Sequence, residues 1–224
     1  QQNPVADDGE YFTKDMFRWY KASERPSIDE LHTYTAWDLA IGKNEANDFT
    51  VGITVGVDQQ DNIWVLDVKR FKKGSLEIVE AILDMYVRWK SKITGIERGQ
   101  IEMAIGPLLN QRIRERSLYS FFYEGLKPGK RDKQTRARSI QGRMQQGMVY
   151  FPNGDDSVQV MVNEFLRFPM GVHDDCVDAL AWIGLMLDDI VSPRAPVKKP
   201  VQGWREKRLA GLLTGNVRRS SMSA

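Results

Sequence analysis

Hydrophobic and polar positions along this chain follow two periods, and the switches between them mark out its elements. Residues 31–40 (LHTYTAWDLA), 49–57 (FTVGITVGV) and 63–71 (IWVLDVKRF) are rich in β-branched and aromatic residues. They are linked by the loop GKNEAND and the turn DQQDN, where Asn47-Asp48 and Asp61-Asn62 supply turn chemistry. This predicts three strands in an antiparallel meander. The period then lengthens. Leu76, Val79, Ile82, Leu83, Tyr86 and Trp89 recur at three- and four-residue spacing, which predicts an amphipathic helix over 75–91 with Ser75 as its N-cap. A strand, KITGIE (92–97), follows, and then a helix over 100–116 with a kink or break at Gly106-Pro107. YSFFYEG (119–125) reads as a buried strand, the basic stretch 132–146 as partly helical, and MVYFP (148–152) as a short strand. DSVQVMVNEFLRF (156–168) reads as a helix capped by an Asp or Ser. GVHDDCVDALAWIGLMLDD (171–189) is apolar on almost every side, the pattern of a buried helix.

Three antiparallel strands that lead through helices into further strands predict an α/β fold. Strand–helix–strand crossovers within one sheet force the later strands to run parallel to the first. The expected architecture is a mixed sheet with helices on both faces. Residues 1–32 read as a polar lead-in with aromatic clusters and a short helix around Lys14–Lys21. Residues 33–190 form the domain proper, and 191–224 a Pro-, Lys- and Ser-rich tail that reads as flexible. There is no internal repeat.

Charge sharpens that division. The tail holds eight Lys/Arg against Glu206 alone, a net of +7, so the overall +2 leaves −5 on the remainder. An acidic body with a basic tail is a common accompaniment of nucleic acid, although a solvated terminus has the same composition. The single cysteine, Cys176, excludes an internal disulfide framework and a Cys-rich zinc site, and reads as a small core residue. No apolar run approaches the roughly 18 residues that cross a bilayer, and the N-terminus has no signal-peptide pattern. The expectation is a soluble protein of a reducing compartment, with no membrane partner.

Candidate chemistry lies in carboxylates at strand and helix ends. Asp38 closes the first strand and Glu97 the fourth, both after apolar residues and before a loop. Neighbouring parallel strands carry such residues to one edge, where open α/β sheets bind ligands. In HDDCVDALA, Asp174, Asp175 and Asp178 fall within one arc of the first helical turn. Capping and the helix dipole account for one acid well and two adequately. They account poorly for Asp178, on a helix with little polar surface. Two carboxylates ~5 Å apart repel by about 3 kcal/mol at an effective dielectric near 20. Mg²⁺ or Mn²⁺, hard ions that prefer carboxylate and water oxygens, would relieve that repulsion. Two such ions are the usual device for in-line phosphodiester displacement.

YTAWDLAIG with NDFT, ITGIERG, the basic segment KPGKRDKQTRARSIQGRMQQGMVYFP and HDDCVDALA, in that order, resemble the C-terminal nuclease domain of tailed-phage large terminase subunits, over about residues 33–190. The resemblance implies an RNase H-like (RuvC-like) fold. It also implies two metal ions held by a first-strand Asp, a fourth-strand acid and an Asp at the last helix. The matching positions are Asp38, Glu97 and Asp174 or Asp175, with Asp178 as a further direct or water-mediated ligand. Asp48 stands where the family often has an acid, a place that turn formation explains equally well. The implied activity is cleavage of double-stranded DNA during viral genome packaging, in the host cell cytoplasm. Implied partners are the portal protein, the small terminase subunit and the ATPase domain of the same full-length protein. No GxxxxGK[ST] loop occurs here, so no P-loop ATPase is expected in this chain. Together with the start at Gln1, this reads as a nuclease domain separated from its ATPase half.

The segment 127–143 carries Lys127, Lys130, Arg131, Lys133, Arg136, Arg138 and Arg143 against Asp132. A solvated helix face has the same look, but contact with DNA phosphates is the preferred reading. No aromatic interleaves these charges, so backbone contact without base stacking is expected. His173 could steer a leaving group or a neighbouring ligand, or simply precede the helix as a packing residue. The rival readings are another nuclease of the same fold, such as a junction resolvase or integrase-like enzyme, and a non-catalytic module that grips DNA or the portal.

Overall fold

The computed structural model describes residues 11–40, 48–127 and 132–191. The basic tail, Lys130 and Arg131 lie outside these residues. Seven strands form one mixed sheet: β1 (Arg18–Tyr20), β2 (His32–Asp38), β3 (Thr50–Val57), β4 (Ile63–Phe71), β5 (Ile93–Glu97), β6 (Glu124–Leu126) and β7 (Val149–Pro152). Their spatial order is β1-β7-β4-β3-β2-β5-β6. The β2–β3 and β3–β4 pairs are antiparallel, and every other pair is parallel. Among the described residues there are five α-helices: α1 (Ser75–Trp89), α2 (Gln100–Glu115), α3 (Lys133–Gln145), α4 (Asp156–Phe165) and α5 (Asp175–Val191). None of the described helices is long and apolar enough to cross a membrane.

Strand periodicity assigns the two faces. Tyr34, Ala36, Val51, Ile53 and Val55 share one cluster with α3, α4 and α5, through Ile140, Phe165, Leu180 and Ile183 among others. Trp37 and Ile96 point the other way, into a second cluster with Ile78, Ile82 and Leu83 of α1 and Ile105 and Leu109 of α2. Helices on both faces are therefore observed, as the crossovers require. Two glycines bring α5 close. A Cβ on Gly95 would fall 2.8 Å from the Met186 sulfur, and one on Gly184 would fall 2.9 Å from Ser139 Oγ. The buried helix thus seats directly against β5 and α3.

Several local expectations are corrected. Lys14–Lys21 is a 3-10 turn, Lys14–Met16, followed by β1, which pairs in parallel with β7. Phe12, Phe17 and Tyr20 of this segment are buried in the domain. The N-cap of α1 is Gly74 rather than Ser75, which begins the helix. The helix α2 runs without interruption through Pro107. The carbonyl deprived of a donor there is that of Met103, an exposed residue on the solvent side of the helix, so the lost bond leaves no acceptor sealed in the core. YSFFYEG is not a buried strand. Only Phe121 is buried, Tyr119 and Phe122 are 74% and 61% exposed, and pairing starts at Glu124. By contrast, α3 is a full helix, capped by Asp132, whose carboxylate accepts from the Thr135 N–H at 2.6 Å.

Candidate active site

Parallel pairing of β2 with β5 sets Trp37 beside Ile96, so the next step brings Asp38 beside Glu97 at the strand ends. Both side chains point opposite to Trp37 and Ile96, toward the face that α5 covers. The first turn of α5 comes down over them. Asp174 immediately precedes the helix, and its carbonyl accepts the Asp178 N–H at 2.9 Å, as an N-cap residue does. Asp175 and Asp178, at 6% and 5% exposure, are buried where a surface helix would show acids to water.

Electrostatics shows which acids face one another. Burial raises the Asp38 pKa well above the carboxylate range. The charges of Glu97, Asp178 and Asp175 push it further, with Lys133 opposing them. Burial also pushes Asp175 up to about 6, against the Phe49 N–H and with Glu164 and Asp48 adding to the rise. The Phe49 N–H reaches Asp175 Oδ2 at 3.4 Å. Asp48 thus joins the field of the site through its charge on Asp175.

Each remaining acid has a partner that holds it. Trp182, two turns along α5, donates its Nε1–H to Glu97 Oε2 at 3.0 Å. Lys133 Nζ donates to both oxygens of Asp174, at 2.7 and 2.9 Å, and lies 3.2 Å from Asp178 Oδ2. Arg136 Nη2 donates to Asp178 Oδ1 at 2.7 Å, with its guanidinium over the Trp182 ring. Burial alone would lower the Lys133 pKa, but bonding to Asp174 and Asp178 overrides this and raises it. His173 Nδ1 lies 3.8 Å from Asp175 Oδ2, beyond hydrogen-bond range, and its ring packs edge-on against Phe49. Cys176 is a buried thiol in the core.

The structure therefore brings Asp38, Glu97, Asp175 and Asp178 into one field, with Asp174 drawn toward Lys133 at its rim. Among the described residues, no three His, Cys, Asp or Glu side chains are already gathered closely enough to hold a metal ion. The donor set nevertheless suits a hard divalent cation: carboxylate oxygens only, with half-buried Asp38 raised in pKa by desolvation and by its like-charged neighbours. Asp38, Glu97, Asp175 and Asp178, with Asp174 at the rim once it is released from Lys133, are the residues that could supply ligands.

The basic segment divides. Arg136 is buried in its pair with Asp178, and Arg143 is paired with Asp188 at 2.9 Å. Lys133 is bound to the acids, while Lys127 and Arg138 are exposed. Sequence reasoning missed Trp182 as the support of Glu97 and Arg136 as the partner of Asp178. The available signals were the four-residue step from Asp178 to Trp182 and the three-residue step from Lys133 to Arg136, each placing two side chains on one helix face. It also missed a buried pair behind the site. Arg70 donates from Nε and Nη2 to Glu164 Oε1, both at 2.7 Å, and the Cys176 N–H reaches Glu164 Oε2 at 3.0 Å.

No curated protein sequence matches the chain. Among solved structures, it is similar to the yeast mitochondrial Holliday junction resolvase at 9% identity and TM-score 0.45, covering 67% of this chain and 77% of that one. It is similar to the fowlpox virus Holliday junction resolvase at 10% identity and TM-score 0.43, covering 70% and 98%. It is also similar to the HK97 bacteriophage large terminase at 11% identity and TM-score 0.35, covering 54% of this chain but 30% of that protein. The family model described as the terminase RNaseH-like domain matches residues 35–187. The sheet, the helices on its two faces and this match together show that the chain belongs to the terminase RNaseH-like domain family.

Proposed function

We propose that this domain is a metal-dependent endonuclease that cuts double-stranded DNA by two-metal phosphodiester hydrolysis during packaging of a viral genome. The observation that carries the reading is Asp38, half-buried at its strand end and pressed by the charges of Glu97, Asp178 and Asp175. A structural role does not account for four acids facing one another in a partly buried pocket, since each costs desolvation and repulsion. Two Mg²⁺ or Mn²⁺ ions, when bound, supply water activation and neutralise charge on the scissile phosphate.

The chain's own residues then have separable tasks. Asp38 at the centre, Glu97 beside it on the sheet, and Asp174, Asp175 and Asp178 on the helix side would supply the carboxylate oxygens that hold the ions. Trp182 fixes the orientation of Glu97, and Arg136 does the same for Asp178. Lys133 balances Asp174 and Asp178 in the absence of metal. The exposed Lys127 and Arg138 meet DNA phosphates, together with Lys130 and Arg131. Family membership supports the packaging setting: host cytoplasm, with the portal protein, the small terminase subunit and an ATPase domain of the same protein as partners.

The test is Asp38→Asn. Plasmid cleavage in Mn²⁺ or Mg²⁺ is expected to fall by at least a hundredfold while the circular dichroism spectrum and melting cooperativity are kept. Full activity in that variant refutes the assignment. Preference for a four-way junction over linear duplex would instead favour a resolvase.

A further inference from the structure

Beside the acids lies a second concavity that the proposed chemistry does not use. Its volume is about 200 Å³, and its walls include Arg70, Asn163, Glu164, Arg167, Val172 and His173. Three strands connect it to the catalytic edge. Asp38 is opposite Val51 in the β2–β3 ladder, and Val51 is opposite Arg70 in the β3–β4 ladder. Residues opposite one another point to the same face, so Asp38 and Arg70 both rise on the α5 side. Two strand spacings separate them, roughly 10 Å.

The charge of this pocket is positive. Glu164 is fully engaged: Oε1 receives both Arg70 bonds and Oε2 receives the Cys176 N–H. That pair is neutral overall, and Arg70 still has guanidinium N–H groups beyond the two it gives to Glu164. Arg167 is exposed, just past the C-terminus of α4, and has no ion-pair partner among the described residues. Proximity to the helix C-terminus favours a cation there, but it does not explain why the side chain lines a cavity that also holds Asn163, one turn earlier, and His173. An amide, a free guanidinium and a half-engaged guanidinium are the donors that recognise a phosphate.

We propose that this pocket binds a backbone phosphate of the DNA strand being cut, a few nucleotides from the scissile bond, with Arg167 as its principal ligand and Asn163 and Arg70 beside it. The inference rests on the nuclease reading. One strand advances 3.4 Å along the helix axis per phosphate, so a site roughly 10 Å away lies about three nucleotides distant. Contact at both points fixes the direction in which the strand crosses the acids.

The experiment measures binding rather than cleavage. Full-chain protein is titrated with a fluorescent 30-base-pair duplex in EDTA across a salt series, comparing Arg167→Ala, Arg167→Lys and Arg88→Ala. Arg88 is an exposed arginine on α1, on the opposite face, and controls for loss of one positive charge. Loss of one phosphate contact is expected to reduce the salt slope by about 0.9 and to weaken binding on the order of five- to tenfold at 0.1 M salt. Arg167→Lys should recover most of the affinity, and Arg88→Ala should match the parent. A parental slope in Arg167→Ala, or an equal loss in Arg88→Ala, overturns the pocket. If the parent cleaves DNA in Mn²⁺ while Arg167→Ala binds as the parent does, only the pocket fails. If the parent neither binds Mn²⁺ nor cleaves, the nuclease reading beneath it fails.

Discussion

Replacing Asp175 with Asn removes one charge from the crowded acids without changing the side chain's shape. In the folded protein its carboxyl titrates near 6 rather than 3.8, because burial and the Glu164 and Asp48 charges disfavour the anion. A raised pKa means that the native state holds the proton more tightly than the unfolded chain does. The associated stability is fully present below pH ~4 and is lost as pH rises through about 6. Two pKa units correspond to about 3 kcal/mol at most. The rim of the site is open to solvent at Asp174, and screening reduces the figure to roughly 1.5 kcal/mol. Asp175→Asn escapes this loss, and its amide oxygen can still accept the Phe49 N–H. Thermal melts in EDTA should therefore show the variant equal to the parent at pH 4 and more stable by roughly 3–6 °C at pH 7.5, with the gap opening between these limits. Saturating Mn²⁺ should reverse the order by stabilising the parent alone. A gap that does not change with pH, or a variant less stable than the parent at pH 7.5 in EDTA, refutes the reasoning.

Lys133→Ala leaves Asp174 without its ammonium and Asp178 with Arg136 alone. It should lower metal-free stability by about 1 kcal/mol and tighten Mn²⁺ binding several-fold by calorimetry; weaker Mn²⁺ binding would mean that Lys133 organises the ligands rather than competing for them. Trp182→Phe keeps an aromatic side chain but removes the indole donor to Glu97. Mn²⁺ affinity should fall roughly tenfold or more, with urea denaturation showing a loss of about 1–2 kcal/mol; unchanged affinity would remove Trp182 from the support of the site.

The central strands, α1 and α5 were legible because each buries a face large enough to impose its period on the sequence. The site was legible for a related reason. Acids at positions 38, 97 and 178 interrupt apolar patterns that would otherwise continue, and each interruption costs stability unless something uses it. What could not be read was non-local. The strand Arg18–Tyr20 has three residues and exists because Tyr150, Phe151 and Pro152 lie alongside it, more than a hundred positions away. The aromatic run at 119–123 carries the composition of a buried strand, but the sheet meets the chain only after it, so Tyr119 and Phe122 stay in solvent. Lys133 and Arg136 were visible as charges, yet their engagement with Asp174 and Asp178 depends on how α3 lies against α5. In the same way, Arg70 and Glu164 are 94 residues apart, and nothing local to either announces the other.

The carboxylates ride on two separate bodies: Asp38 and Glu97 on the sheet, Asp175 and Asp178 on a helix resting upon it. Distances within each body are set by backbone hydrogen bonding, the β2–β5 ladder in the sheet and the helical turn in α5, whereas distances between them depend on how deeply the helix beds down at Gly95 and Gly184. A methyl group at either place would act as a shim, lifting the helix and widening every gap across the layers at once. The spacing of the acids is thus governed from beneath, by hydrogens in the core that never meet solvent, ion or nucleic acid.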